Sequence, residues 1–177
     1  MKTLHLLRHA KSDWANADLG DHERPLNARG TAAAKAMGSR LASEDFRVDA
    51  IFCSTATRAR ETYQLLVKPL PRIPATFHDE LYMVSPGDLL AFIRSVADTH
   101  QSIMLIGHNP ATHALALSMI ARAATGAGKS LAALKEKYST GALCTIGFQV
   151  AQWREVSPGK GTLVRYLRPK DLTAASR

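Results

Sequence analysis

Arg8 and His9 stand directly after an apolar run, Leu4 to Leu7, that has the length and composition of a buried strand. A guanidinium and an imidazole seldom enter a core together, and two later stretches repeat the pattern. In FCSTATRARET, Arg58 and Arg60 follow the run Ala50 to Cys53; in LIGHNPAT, His108 follows Ile103 to Ile106. Two arginines and two histidines gathered in one place repel one another unless an anion lies among them. A tetrahedral phosphate suits such a place, because the planar fork of arginine donates two hydrogen bonds to adjacent oxygens. A neutral imidazole can also attack phosphorus and split one difficult displacement into two easier ones. Phosphate-monoester hydrolysis is so slow unaided that enzymes accelerate it by up to ~10²¹-fold, largely by positioning and charge stabilisation. Helix amino-termini after Ser54 and Asn109 would add amide donors to the same oxygens.

The chemistry requires elements that carry these loops to one edge. Three short apolar runs, Leu4 to Leu7, Ala50 to Cys53 and Ile103 to Ile106, are each followed by a stretch of helical spacing. A helix is expected from Asn27, as its cap, to about Ser43. A second opens at SPGD, with Ser85 as cap, Pro86 in the first position and an apolar stripe of Leu89, Leu90, Ile93, Val96 and Ala97. A third opens at NPAT, with Asn109 as cap. Two β-rich runs, Leu143 to Val150 and Leu163 to Leu167, form an antiparallel finish. Strands alternating with helices predict an α/β protein, a three-layer α/β/α sandwich on a mainly parallel central sheet. Ligands of such sheets bind beyond the carboxyl ends of the strands, where the three loops converge.

At 177 residues and 46% hydrophobic the chain suits one domain, 1–177, with a full core. No apolar run is long enough to span a membrane and no secretory signal is recognisable at the N-terminus, so a soluble, cytoplasmic protein is expected. Cys53 and Cys144 can form neither a disulfide framework nor a four-ligand zinc site, and both read as reduced and buried. A formal charge of +8 favours an anionic partner without choosing it. TGAGKS and the tail AASR read as mobile.

Simpler readings hold for the remaining candidates. His5, His22, His78, His100 and His113 are expected to be structural or exposed, and Arg60, two positions from Arg58 on a helix, to point elsewhere. Lys11 and Ser12 suit a phosphate contact and an ordinary loop role equally. Asp18, Asp21 and Glu23 lie in a polar loop where they balance arginines. AATGAGKS satisfies a relaxed P-loop pattern, but it follows a helical stretch where a P-loop follows a strand. Cys53 precedes Arg58 by one residue too few for a cysteine phosphatase loop, and reads as a small buried apolar residue.

LLRHAKSDW, DHERPLNARG, FCSTATRARET, DELYMVSPGDLL and LIGHNPAT, in this order, resemble the histidine phosphatase superfamily, which also contains the phosphoglycerate mutases, and within it the small SixA-type phosphohistidine phosphatases. The resemblance implies a phosphoglycerate mutase-like fold and a phosphatase with no metal and no organic cofactor. It makes His9 the nucleophile, Arg8 and Arg58 the ligands of the phosphoryl oxygens, and His108 a further ligand that steadies the transition state. Ser12 joins the substrate-binding candidates. The chain departs from the pattern at Ala10, where many members carry glycine. It departs again at Tyr82, Met83 and Val84, where larger members place an acidic proton donor; Glu80 is the nearby candidate for that acid. A short chain with little material for a lid suits an open site admitting phosphohistidine of proteins. A small phosphomonoester is the alternative substrate, and a non-catalytic anion-binding module the alternative class. No nucleic-acid partner is expected, because basic and aromatic residues do not interleave and no recognised nucleic-acid motif is present, and no membrane is expected, because no apolar run is long enough to span one.

Overall fold

The computed structural model describes residues 1–121 and 128–172. A six-stranded sheet runs through the middle in the order β3-β2-β4-β1-β5-β6. Its strands are β1 (Lys2–Arg8), β2 (Ala50–Ser54), β3 (Ala75–His78), β4 (Ser102–Gly107), β5 (Leu143–Phe148) and β6 (Thr162–Leu167). The first four are mutually parallel, while β5 runs antiparallel to both β1 and β6. Side chains alternate across the sheet as the strand period of two requires. Leu4, Leu6, Ile103 and Leu105 meet α3 (Pro86–Ser95), α4 (Ala111–Met119) and α5 (Gly128–Glu136) on one face. Leu7, Met104 and Ile106 meet α1 (Ala28–Ser43) and α2 (Thr57–Val67) on the other. Helices therefore cover both faces, and the described residues form the three layers that the alternating pattern implies. A last short helix, α6 (Pro169–Leu172), follows β6.

The parallel pair β1 and β4 sends its following helices, α1 and α4, to opposite faces. The crest between them is the topological switch point at which open sheets of this kind bind ligands. Two helix starts follow the sequence closely. Asn27 caps α1 by accepting from the Gly30 amide at 2.8 Å, and Ser85 caps α3 by accepting from Asp88 at 3.1 Å, with Pro86 in the first turn.

Other boundaries differ. Helix α3 stops at Ser95, so Val96 is its C-cap and Ala97 lies beyond it, because the chain turns to extended geometry at Val96. Asn109 does not cap α4: its amide donates to the Tyr138 carbonyl at 3.3 Å, and the peptide bond to Pro110 is cis. The helix is entered instead through a tight turn in which both the amide and the hydroxyl of Thr112 donate to the His108 carbonyl, at 3.0 and 2.9 Å. Strand β3 is an edge strand of four residues with only partial burial, too short and too exposed to leave an apolar run. The first half of TGAGKS, residues 125–127, and all of AASR lie outside the described residues. Gly128 to Ser130 begin α5, and the element before the P-loop-like motif is the helix α4, so among the described residues no strand leads into it. Cys53 and Cys144 are buried, and burial pushes both thiols up to about 12. Among the described residues no helix is long and apolar enough to cross a membrane.

Candidate active site

His9 leaves the end of β1 buried to 7% exposure, and its ring centroid lies 4.9 Å from that of His108, which leaves the end of β4. Arg58, in the first turn of α2, joins them in lining a cavity of about 570 Å³ whose walls also include Asp21, Tyr82, Met83 and Asn109. Three segments distant in sequence thus meet where the parallel strands end.

Hydrogen bonds fix the chemical state of His9. Its Nδ1 lies 2.7 Å from the carbonyl oxygen of Ala10, which can only accept, so Nδ1 carries the ring proton. Burial, with the positive charges of Arg58 and Arg8, pushes the His9 pKa down to about 4. At neutral pH the ring is therefore uncharged, with its lone pair on Nε2. The backbone that holds it is pinned by Thr62, whose hydroxyl accepts from the Ala10 amide at 3.0 Å and donates to the Arg58 carbonyl at 2.6 Å. One buried side chain so ties the histidine loop to the arginine helix. Ala10 needs no left-handed conformation; among non-glycine described residues only Asp45 and Met83 have positive φ.

His108 is neutral for related reasons. Burial, then the neighbouring His9 and Arg58, push its pKa down to about 3. Its Nε2 lies 2.8 Å from the Ser54 hydroxyl, whose oxygen in turn accepts from the Ala56 amide at 3.3 Å. Nδ1 of His108 is buried with no hydrogen-bond partner. Among the described residues four buried side-chain polar atoms lack a partner, and three belong to Arg8, His108 and Asn109. Leaving such an atom unpaired costs about 1–3 kcal/mol, so their concentration around one strand crest marks a place shaped for a polar guest.

The polar loop between β1 and α1 supplies the remaining wall. Its base is pinched by a bridge between Ser12 and Leu26 and by the Asp13 amide donating to Pro25 at 2.8 Å. Its tip docks on the start of α2, where the Thr57 amide donates to the His22 carbonyl at 3.0 Å. Arg58 donates through Nη2 to the Asp21 carboxylate at 2.8 Å and through Nη1 to the Asp21 carbonyl. Tyr82 donates to the same carboxylate at 2.6 Å. That hydroxyl, together with Arg58, holds the Asp21 carboxyl below its ordinary range. Asp21 does balance an arginine, as its loop position suggests, and that arginine is the one beside His9. Tyr82 went unread because an aromatic residue in a loop carries no spacing signal; its reach to Asp21 spans 61 residues.

The other candidates lie elsewhere. Glu80 is exposed, stands 3.4 Å from His78 Nδ1 and does not line the cavity. Ser12 is buried and its hydroxyl accepts from Trp14 Nε1 at 3.1 Å, away from the cavity wall. Arg8 lines a second depression and not this cavity, although its charge acts on both His9 and His108. Its Nη1 donates to the Tyr138 carbonyl at 2.7 Å, while Nε is buried and unpartnered. It shares that carbonyl with Asn109, a cavity residue, so Arg8 stands at the partition between two depressions. Arg60 lies over the Phe77 ring, 5.3 Å from its centroid. Among the described residues no group of three or more His, Cys, Asp or Glu is placed to hold a metal ion.

Paired neutral imidazoles beside a carboxylate-oriented arginine, set at the switch point of an α/β sheet, define a protein that handles phosphoryl groups. Over residues 4–104 the chain matches the histidine phosphatase superfamily (branch 1), and it belongs to that superfamily. It is 34% identical over 164 residues to the uncharacterised protein Rv1276c of Mycobacterium tuberculosis, covering 93% of this chain and 100% of that one. A structure from Agrobacterium tumefaciens, assigned as phosphohistidine phosphatase SixA, superposes with a TM-score of 0.78 at 30% identity, covering 95% of this chain and 98% of that one. The protein histidine phosphatase SixA complexed with tungstate shares the fold at 18% identity and a TM-score of 0.75, covering 96% and 99%. The family and these neighbours identify a phosphatase on a phosphoglycerate mutase-like fold.

Proposed function

We propose that the protein removes phosphoryl groups from phosphohistidine carried by proteins, through a covalent intermediate on His9 and without a metal ion. Nε2 of His9 attacks phosphorus and forms an N–P bond. The bond between phosphorus and the substrate nitrogen breaks, and its electron pair returns to the departing ring. That ring leaves as neutral imidazole when its far nitrogen already carries a proton. The His9 ring becomes positive as its bond forms, and Nδ1–H donates more strongly to the Ala10 carbonyl. Arg58, held in place by Asp21, and the Nδ1 of His108 donate to the phosphoryl oxygens, with Arg8 contributing from the partition. Water then attacks phosphorus, the Nε2–P bond breaks with its electron pair returning to Nε2, and inorganic phosphate leaves as H₂PO₄⁻ with both protons of the water.

The state of Asp21 supports this substrate over a phosphomonoester. An alkoxide leaving group needs a proton donor, and positioned acid catalysis is worth roughly 10²–10⁴-fold. Asp21 is the only carboxyl group among the residues that line the cavity, and Tyr82 and Arg58 keep it ionised. Glu80 faces His78 instead. A phosphoramidate, whose leaving nitrogen departs as a stable imidazole, fits a site furnished in this way.

Matched peptides that differ only in phosphohistidine and phosphoserine test the reading. After correction for uncatalysed loss, kcat/KM is expected to favour phosphohistidine by at least about 10²-fold, the value of the acid the cavity lacks. Equal or faster turnover of the serine ester would overturn it in favour of a phosphomonoesterase. A chelator should leave the rate unchanged.

A further inference from the structure

A second depression, of about 310 Å³, opens at Arg8, next in the chain to His9, and shares no lining residue with the His9 cavity. Arg8, Lys11, Arg29, Lys137, Arg168 and Lys170 line it, with Ala33, Ser139, Thr140 and Pro169 as the neutral remainder; no carboxylate is among the lining residues. The six cations come from the end of β1, the loop after it, the first turn of α1, the segment after α5 and the start of α6. Two carboxylates stand nearby. Asp171 is committed to Arg168, which donates to it through Nε and Nη2 at 2.9 and 2.8 Å, and Glu136 also acts on Arg168. Lys11, Arg29 and Lys137 are exposed and have no carboxylate within 4.0 Å among the described residues.

The backbone brings these charges together at positions that tolerate only glycine. A Cβ on Gly30 would lie 2.1 Å from the Lys11 carbonyl oxygen, so the absence of a side chain lets the first turn of α1 sit against the loop. This places Arg29 beside Lys11. Gly141, at φ +73°, donates its amide to the carbonyls of Arg8 and His9, and a Cβ there would stand 3.1 Å from Pro169 and 3.7 Å from Ala33. The turn thereby seats the wall of Ser139 and Thr140, the start of α6 and the α1 face against the residue pair that begins the active site. Mutually repelling charges gathered by a close-packed backbone are the arrangement expected where a negative guest is received.

We infer that this cleft is an accessory subsite for the acidic segment that flanks the phosphohistidine of a protein substrate, with Arg8 shared between the segment and the phosphoryl group. The inference rests on the phosphohistidine reading above and extends it to the protein that presents the group. Six cationic side chains from five segments line the cleft, a spread that suits several carboxylates better than a single second phosphate.

Two measurements test it. The first compares kcat/KM for phosphohistidine peptides with glutamate or with alanine flanks, in the wild type and in Arg29→Glu/Lys137→Glu, whose substituted side chains are both exposed. At low salt the wild type should prefer the glutamate peptide about tenfold through KM, and the preference should vanish in the variant and at high salt. The second titrates a labelled, unphosphorylated glutamate-rich peptide and reads anisotropy, a signal independent of turnover. It should rise with the wild type and stay flat with the variant. No flank preference together with no peptide binding overturns the subsite. A preference for a small bisphosphate over its monophosphate, lost in the variant while peptides bind equally to both proteins, overturns the acidic segment. If neither phosphohistidine peptide is turned over but the acidic peptide binds the wild type alone, the subsite stands and the phosphohistidine reading falls.

Discussion

The two depressions that flank Arg8 and His9 differ in how their charge is held. In the His9 cavity the charged and titratable groups have partners: His9 the Ala10 carbonyl, His108 Ser54, Arg58 Asp21, and Asp21 Tyr82, with His9, Arg58 and His108 buried. In the neighbouring cleft, Lys11, Arg29 and Lys137 stand in solvent without acidic partners among the described residues. Answered groups are rigid and desolvated, which raises the value of each interaction with a transition state. Exposed charges are screened and adaptable, and their strength lies in attraction and discrimination. On the proposed reading, the end of β1 joins chemistry at His9 to recruitment in the cleft, with Arg8 between the two.

The sharpest way to break this division is His9→Ala, which should lower kcat by at least about 10³-fold because the covalent route disappears; retention of more than a tenth of the wild-type rate in a steady-state assay would contradict it. Arg58→Ala should cost about 10²–10³-fold in kcat, the usual loss for one donor to a developing oxyanion. Asp21→Asn keeps the hydrogen bonds but removes the charge that orients Arg58, and should lower kcat/KM about tenfold, the value of a charge-assisted bond. An Asp21→Asn enzyme with wild-type kcat/KM would show that Arg58 holds its place unaided.

Stability and pH sharpen the comparison from the buried side. Thr62→Val removes both bonds that tie Ala10 to Arg58, and is expected to destabilise by about 1–3 kcal/mol, read as a lowered midpoint in denaturant. With the ordinary histidine value at 6.5, folding depresses His9 to about 4 and His108 to about 3. Below pH 6.5 the unfolded chain binds protons that these folded imidazoles refuse. The stability tied to them is therefore whole above pH 6.5 and is lost as pH falls toward 4. In the pH profile of kcat/KM, the acid limb assigned to His9 should lie near pH 4; a limb at 6.5 would mean that the nucleophile is neither buried nor flanked by cations as described.

What the sequence reveals follows the same division. His9, Arg58 and His108 were legible because each ends or follows an apolar run, and strand order carries such residues to one edge. Asn27 and the Ser85–Pro86 pair were legible because capping is local. Asp21 was legible as balancing an arginine but not which one, and Tyr82 and Thr62 were not legible, since the partners lie 37, 61 and 52 residues away and nothing local marks the pairing. Glu80 was drawn toward the site by proximity in sequence, yet the short 3₁₀ turn of Asp79–Leu81 leaves it beside His78. Asn109 resembles a cap by residue type, but the turn at His108 uses Thr112 for that task and leaves the Asn109 amide for Tyr138. The cationic cleft combines side chains from five segments, and composition alone reports them only as part of a net charge of +8.

The most direct test of the central claim is rapid quenching of the protein with phosphohistidine substrate at alkaline pH, where phosphoramidates survive, followed by mass spectrometry of its peptides. One phosphoryl group should appear on the peptide containing His9, decay as phosphate is released, and be absent from His9→Ala. A phosphoryl group on another side chain, or full turnover with His9 never modified, would contradict the account.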